Sequence, residues 1–454
     1  MGDSTVSLPK GSSASSFLLQ LLIDAKARFP RTFKTVELPE TSETFKKSFA
    51  STLVEVEQYR VASPERRKVA SFLQNAVANR CTLRGSNDES PLSGLNVESK
   101  PLPVEHLSSG RAPGWVPTLT YRGKEWRGSE LKGLVDDLEQ RRRLNEATAN
   151  TLRRALNRLR PDGTLLLEGQ RFALFGAGAE IAPTRALLQA GATVLWMDIQ
   201  APAPDLLNLG GTLFHANGRS DLLSVPDRIA ATLLDFTNTS PAHVGLFSYA
   251  PGQGREWRLG AAMNATLRAI PRDRVRSVGL LVSPTTPMIL DEDDSRMCDL
   301  RWEGRPGWQK TLLATRAIRK SRADPSLPRV CDTVVPLQGV SYQAAQWLEK
   351  TLAMEAIGLD NPDLPISANV APVTETASMD HPVFKAAFRG APRFEVESYS
   401  AEFTRTLSTL LYVEDILGAK PERPRHLHGG LFALPYTLES TIRVAAAIGF
   451  VTPR

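Results

Sequence analysis

The feature of this sequence that most restricts its fold is an alternation of short apolar runs with helical patterns, which begins after Gly169. Six runs have the length and composition of buried strands: 171–175, 193–197, 212–215, 244–249, 275–283 and 331–336. Apolar residues recur at helical spacing between them, at 181–190, 222–234, 256–270 and 306–322. Strands that alternate with helices in this way form βαβ units. The sequence therefore predicts an α/β fold with a doubly wound parallel sheet.

The rest of the chain divides around this segment. Residues 1–16 form a polar leader that we expect to be disordered. Residues 17–165 carry helical patterns, interrupted by a loop rich in Ser, Gly, Pro and Asn at 82–117. Residues 166–340 hold the alternating segment, and residues 341–454 return to helical patterns. With 454 residues, the chain has room for these three structured regions.

The first turn of the alternating segment carries the clearest chemical signal. Gly176 and Gly178 follow the first predicted strand, where the chain must bend sharply and approach a pyrophosphate closely. Asp198 ends the next strand, where a carboxylate accepts hydrogen bonds from an adenosine ribose. The third glycine position is Ile181, so we expect the neighbouring Ala182 to make the close contact between helix and strand.

Over residues 170–336 these features resemble the NAD(P)-binding Rossmann superfamily. The resemblance implies a Rossmann-like fold and NAD or NADP as cofactor, with Gly176 and Gly178 at the pyrophosphate and Asp198 at the ribose. An acid at that position is typical of members that prefer NAD. Two alternatives stay open: a tight turn that binds nothing, and an S-adenosylmethionine site. Methyltransferases usually carry an acid just before the glycines, where this chain has Phe175.

Ligands of open α/β sheets bind beyond the carboxyl ends of the strands. The fourth predicted strand ends at Ser248, Tyr249 and Ala250, where we expect contact with the ribose of the cofactor; an ordinary turn is the alternative. The fifth strand ends at Ser283, whose hydroxyl can orient a substrate carbonyl. Three strand ends thus converge on one predicted pocket.

This layout is distantly similar to short-chain dehydrogenases, which place a catalytic serine after the fifth strand, as Ser283 is placed here. Their Tyr-x-x-x-Lys pair should open the following helix, but residues 305–314 contain no tyrosine. The pair is therefore absent or rebuilt. Lys310 in that segment and Tyr342 beyond the predicted sixth strand are the remaining catalytic candidates.

Metal and nucleic-acid ligands are not predicted. His426 and His428 have no carboxylate or thiol near them in the sequence. The net charge of +6 arises within residues 1–165, which hold 26 basic against 19 acidic residues, whereas residues 166–454 hold 29 against 30. The arginines at 141–143 and 153–160 alternate with leucines and lack interleaved aromatic residues, which favours a solvated helix face over a nucleic-acid surface.

These observations predict an NAD(P)-dependent oxidoreductase that acts on a carbonyl, an alcohol or an activated double bond of a small organic molecule. The alternative is a nucleotide-binding scaffold or sensor without catalysis, which the missing Tyr-x-x-x-Lys pair favours. No apolar run reaches the length of a membrane span, and three scattered cysteines fit a reducing compartment, so we expect a cytoplasmic protein. The oligomeric state stays open.

Overall fold

The computed structural model describes residues 5–85, 89–108, 110–418 and 425–452. The strands, in chain order, are β1 (Thr5–Ser7), β2 (Thr82–Arg84), β3 (Glu89–Pro91), β4 (Glu105–Ser108), β5 (Thr118–Tyr121), β6 (Lys124–Arg127), β7 (Arg171–Phe175), β8 (Thr193–Met197), β9 (Thr212–His215), β10 (Ala242–Leu246), β11 (Val275–Val282), β12 (Ile366–Val370), β13 (Val373–Glu375), β14 (Ser398–Ser400) and β15 (Arg425–His426). The α-helices are α1 (Ala14–Arg28), α2 (Ser42–Ala62), α3 (Arg66–Arg80), α4 (Leu131–Gln140), α5 (Glu146–Asn157), α6 (Thr184–Gln189), α7 (Pro226–Thr237), α8 (Arg255–Ala269), α9 (Glu292–Glu303), α10 (Gly307–Ala314), α11 (Gly339–Gln343), α12 (Ala353–Asp360), α13 (Pro382–Gly390), α14 (Ala401–Leu417) and α15 (Leu438–Val451). A π-helix, Ala344–Leu352, joins α11 to α12.

An eight-stranded sheet organises the chain, in the order β15-β12-β11-β10-β7-β8-β9-β4. Its neighbouring strands are parallel except at the β9 edge, where β4 is antiparallel. Counted from β7, the central strands follow the order 3-2-1-4-5-6 of a Rossmann fold, and β15 extends the sheet beyond β12. The predicted α/β class, a Rossmann-like doubly wound parallel sheet, is confirmed.

Helices cover both faces of this sheet. Successive side chains of each strand point to opposite faces and so enter two different cores. In β7, Phe172 and Leu174 join the core formed with α4, α5, α6 and α14, whereas Ala173 and Phe175 join the core formed with α1, α2, α3, α7, α8 and α12. Strands that are apolar on both faces are typical of buried parallel sheets.

The N-terminal helices share the second of these cores. The ring of Phe17 on α1 stacks on Trp257 of α8, with centroids 4.9 Å apart. The buried Arg60 of α2 donates to Glu57 at 2.8 Å and to Glu355 of α12 at 2.7 Å. Breaking a buried ion pair of this kind leaves an uncompensated charge, so these contacts hold α2 firmly against α12.

The sixth strand lies elsewhere than the sequence predicts. Cys331–Pro336 is not a strand; its buried extended segment lies beside the loop after β11, where the Cys331 N–H donates to the Met288 carbonyl at 2.9 Å. The sixth strand is β12. Its apolar pattern is weak because Ser367 and Asn369 point into the sheet face and both hydrogen-bond to the buried Asp415.

Other predicted elements are also shifted. The predicted helix 181–190 begins only at Thr184, since Pro183 stands at its N-cap. The helix predicted at 306–322 is α10, which ends at Ala314. The acidic residues that precede it in the chain start α9, with Asp291 as the N-cap. Of the leader predicted to be disordered, residues 1–4 lie outside the described residues, whereas residues 5–7 form β1. In the described part of the chain no helix has the length and apolar character to cross a membrane.

Candidate functional site

The glycine turn after β7 lies against the carboxyl ends of β8 and β10. Gly176 has a φ of +71°, and a Cβ there would lie 2.4 Å from the Ser248 backbone nitrogen beyond β10. Only glycine therefore permits this turn and the approach of the neighbouring chain. The Gly178 N–H donates to Oδ2 of Asp198 at 3.0 Å, and Oδ1 of Asp198 accepts the Gln200 N–H at 3.0 Å. Asp198 is thereby fixed at the carboxyl end of β8, beside the turn.

This turn has groups that match a dinucleotide in part. Asp198 keeps lone pairs for ribose hydroxyls, and the backbone N–H groups of Ala177, Glu180 and Ile181 have no acceptor among the described residues. Such N–H groups bind phosphate oxygens. The Glu180 carboxylate accepts the Ala377 N–H at 3.0 Å. The residues present therefore fit the ribose and phosphates of a nucleotide.

Helix α6 departs from the predicted phosphate site. It has six residues, and its N-cap Pro183 makes no side-chain cap. A helix this short contributes little dipole, so the phosphate donors of this turn are the loop N–H groups. Ala182 is buried, and its N–H donates to the Ala179 carbonyl at 2.9 Å, which places it inside the turn.

The loop after β10 adds Ser248 and Ala250 to the same edge. The Ser248 backbone packs against Gly176, as described above. Between them, Tyr249 is exposed and presents its ring edge-on to Tyr342, with centroids 6.1 Å apart. Partial burial, together with the neighbouring Tyr342 and Glu256, raises the pKa of Tyr249 to about 12, so its phenol is protonated at neutral pH.

A cluster of hydroxyls lies at the carboxyl end of β11. Oγ of Ser283 lies 2.8 Å from Oγ1 of Thr285, which donates to Oε1 of Gln338 at 2.8 Å. The phenol of Tyr342 lies beside both hydroxyls. Burial raises the pKa of Tyr342 above its usual value, and the hydroxyls of Ser283 and Thr285 lower it by less. The structure thus brings Ser283 and Tyr342 together, and the phenol carries its proton at neutral pH.

The position of Tyr342 along the chain corrects the sequence assignment. Tyr342 does not follow the sixth strand: it lies on α11, in the connection between the fifth strand, β11, and the sixth, β12. Four residues later, Gln346 accepts the Ser283 N–H on its Oε1 at 3.0 Å. A glutamine amide, four residues after Tyr342, therefore holds the end of β11.

The two lysines of this region are placed differently. Lys310 is exposed on α10. Lys350, which sequence reasoning missed, donates from Nζ to the Leu281 carbonyl of β11 at 3.0 Å, and burial lowers its pKa to about 8. It lies in the π-helix, whose wider turn changes which residues face the sheet. The periodicity of a regular α-helix therefore does not predict that Lys350 faces β11.

An apolar cavity opens beside the hydroxyl cluster. Thr285 and Gln338 form part of its wall. The other walls come from α13, α15 and the segments before them, with apolar side chains that include Phe384, Phe388, Phe394, Leu431, Leu434 and Ile442. The cavity is lined mainly by apolar groups and meets polar groups at one end, as small-molecule sites commonly do.

Taken together, the strand order and the turn at Gly176 define the class of the protein as Rossmann-like α/β. No protein-family model matches the sequence, and no curated protein matches it. Solved structures that are similar to the chain include those of three bacterial enzymes. UDP-N-acetylglucosamine 4-epimerase from Bacillus cereus has 11% identity, covering 62% of this chain and 83% of its own, with a TM-score of 0.30.

The Bordetella bronchiseptica enzyme WbmG, in complex with NAD and UDP, has 14% identity, with 63% and 80% of the two chains covered and a TM-score of 0.32. A UDP-glucuronic acid 4-epimerase variant from Bacillus cereus, in complex with a fluorinated substrate analogue and NAD, has 10% identity, with 62% and 99% covered and a TM-score of 0.27. These scores are low, so the fold class rests on the strand order of this chain.

Proposed function

We propose that the protein is an NAD(P)-dependent oxidoreductase that acts on a carbonyl or alcohol of a small molecule with an apolar body. The observation that carries the proposal is the hydroxyl cluster of Ser283, Thr285 and Tyr342. It lies at the end of β11, two strands from the glycine turn, and borders the apolar cavity. A cofactor site and a proton donor at one sheet edge are what such a reaction requires.

In this proposal each group has one task. Asp198 accepts hydrogen bonds from the adenosine ribose, and the N–H groups of the loop after Gly176 donate to the phosphates. When bound, the nicotinamide supplies or accepts the hydride. Ser283 and Tyr342 hold the substrate oxygen by hydrogen bonds. In the reducing direction the Tyr342 phenol gives its proton to that oxygen as the carbon receives the hydride.

The apolar cavity supports the choice of substrate class. Thr285 lines it and also belongs to the hydroxyl cluster, so a substrate oxygen bound by Ser283 and Tyr342 would leave the rest of the molecule in the cavity. Burial of apolar groups there contributes about 25 cal/mol per Å² of area removed from water. Substrates with longer apolar bodies should therefore bind more tightly until the cavity is filled.

The test is steady-state oxidation of NADH and NADPH with a series of ketones and aldehydes of increasing apolar size. Tyr342→Phe should lower kcat by about 100-fold or more, because general acid catalysis contributes on that scale. The KM for the ketone should change much less than kcat, since Ser283, the ring of residue 342 and the cavity still bind the substrate. Tyr59→Phe on α2 is the matched control and should behave as the wild type.

A nucleotide-binding scaffold is the second candidate. The observation that favours it is Gln346, which occupies the position of the lysine that would lower the pKa of Tyr342. Saturable dinucleotide binding with no turnover of any carbonyl or alcohol would support the scaffold. Turnover that Tyr342→Phe leaves unchanged would contradict the catalytic role assigned to the phenol.

A further inference from the structure

A second group of ligating side chains lies at the other end of the same sheet edge. Strand β15 ends at His426, and Asp291 caps the start of α9. Asp291, Asp294 and His426 each place one oxygen or imidazole nitrogen within 4.8 Å of those of the other two. The sequence predicts no metal site because no carboxylate lies near His426 along the chain. The fold supplies two of them from the distant α9.

His428 is a buried neighbour of Asp294. Its side chain is 1% exposed, and its Nδ1 accepts the Gly430 N–H at 2.9 Å. Its Nε2 lies 2.9 Å from Oδ1 of Asp294. His428 therefore contacts one carboxylate oxygen of Asp294 and helps to fix the direction of that side chain.

The ligating groups are held in place from outside. Nδ2 of Asn145 donates to Asp291 at 2.7 Å, and the Asp294 N–H donates to the other carboxylate oxygen of Asp291 at 2.7 Å. The ring of Phe432 lies parallel to that of His428, with centroids 5.3 Å apart, and meets His426 edge-on. Such outer contacts are typical of side chains that bind a metal, since they fix the direction of each ligand.

The charge of the group calls for a cation. Asp294 is buried and Asp291 is half-buried, so the group holds two carboxylates at least partly out of water. A buried charge needs a partner or a metal. A divalent ion balances the two carboxylates.

We propose that Asp291, Asp294 and His426 bind a divalent transition-metal ion, with His428 as an outer contact that holds Asp294 in position. Carboxylate oxygens with one imidazole nitrogen suit Zn²⁺ or Mn²⁺. Ca²⁺ and Mg²⁺ prefer oxygen ligands throughout. The ion would join the start of α9 to the end of β15. This proposal does not depend on the oxidoreductase function.

The test uses the full chain after removal of metal with EDTA. Isothermal titration calorimetry with ZnCl₂ and with MnCl₂ should show one equivalent bound for at least one of the two ions. Asp291→Ser removes a carboxylate ligand but keeps an N-cap that accepts the Asp294 N–H. This variant and His426→Gln should each bind the ion at least about tenfold more weakly. His106→Gln, at an exposed position on β4, is the matched control.

Thermal unfolding supplies a second readout, because an ion that binds only the folded chain raises its Tm. The Tm of the wild type and of His106→Gln should rise with the ion, and that of Asp291→Ser should not. If His426→Gln does not fold, Asp291→Ser alone decides the question. The proposal is overturned if the wild type binds neither ion, or if Asp291→Ser binds as tightly as the wild type.

Discussion

At the scale of single residues, Gly176 shows how one position controls the site. Its positive φ and the backbone of Ser248 2.4 Å from an added Cβ both exclude other residues. Gly169 offers a matched comparison, since its φ is +79° but an added Cβ would meet nothing within 4 Å. Alanine substitutions at the two glycines therefore distinguish the cost of backbone strain from the cost of a steric clash.

We expect Gly169→Ala to lower the free energy of unfolding by about 1 to 2 kcal/mol, the cost of a left-handed conformation for a residue with a Cβ. Gly176→Ala should lose that amount and about 1 to 3 kcal/mol more, because the alanine collides with a neighbouring strand end. Urea unfolding of both variants measures the difference. Equal losses in the two variants would show that the turn relaxes away from Ser248.

Residues of the candidate site could be predicted from the sequence only where a local sequence pattern identifies them. Gly176, Asp198 and Ser283 lie at strand ends, where a pattern of strand and turn identifies them. The contact of Ser283 with Tyr342 and the approach of Asp294 to His426 depend on where β12 and α9 fall. Contacts between residues so far apart in the chain leave no local signal.

At the scale of elements, the π-helix Ala344–Leu352 determines what faces the core between α8 and α3. It buries Glu349, whose carboxylate accepts hydrogen bonds from Trp257 at 3.0 Å and Asn264 at 2.7 Å. Burial raises the pKa of Glu349 to about 7, and hydrogen bonds and the charge of Arg268 offset part of that shift. Burial, and next the nearby Glu349 carboxylate, raise the pKa of the Cys81 thiol.

This shift predicts a pH dependence of stability. The folded chain binds the Glu349 proton more tightly than the unfolded chain, so the resulting stabilisation is complete below the unfolded pKa of 4.5 and is lost as the pH rises through about 7. The change amounts to about 3 kcal/mol. Between about pH 5 and pH 8, the free energy of unfolding should therefore fall more for the wild type than for Glu349→Gln.

Urea unfolding at the two pH values tests this, with Glu303→Gln at the exposed end of α9 as control. That control should follow the wild type. A Glu349→Gln protein with the same pH dependence as the wild type would refute the assignment to this carboxyl.

The order of elements was predictable and some of their positions were not. Apolar runs identified β7 to β11 because strands buried on both faces carry continuous apolar residues. Strand β12 escaped because Ser367 and Asn369 replace apolar side chains and are satisfied by Asp415. A buried polar network removes the pattern on which sequence assignment depends.

Across the whole molecule, several arginines of the basic residues 1–165 form ion pairs with acidic residues of the C-terminal region. Arg158 pairs with the buried Glu414 of α14 at 2.5 Å. Arg141 and Arg143 both contact Glu397, at 3.1 and 3.4 Å. These arginines therefore hold α4 and α5 against the C-terminal region, a role that the sequence pattern of a solvated helix face does not indicate.

We propose that the carboxyl edge of the sheet at Gly176 and Asp198 binds a nicotinamide dinucleotide. Titration of the purified chain with NADH and with NADPH, followed by nucleotide fluorescence, tests this binding. We predict saturable binding of NADH, weaker binding of NADPH because Asp198 repels its additional phosphate, and at least about tenfold weaker binding of NADH by Asp198→Ala. Asp235→Ala, at an exposed position of α7, should bind as the wild type does. Failure of the wild type to bind either nucleotide, or undiminished binding by Asp198→Ala, would contradict the claim.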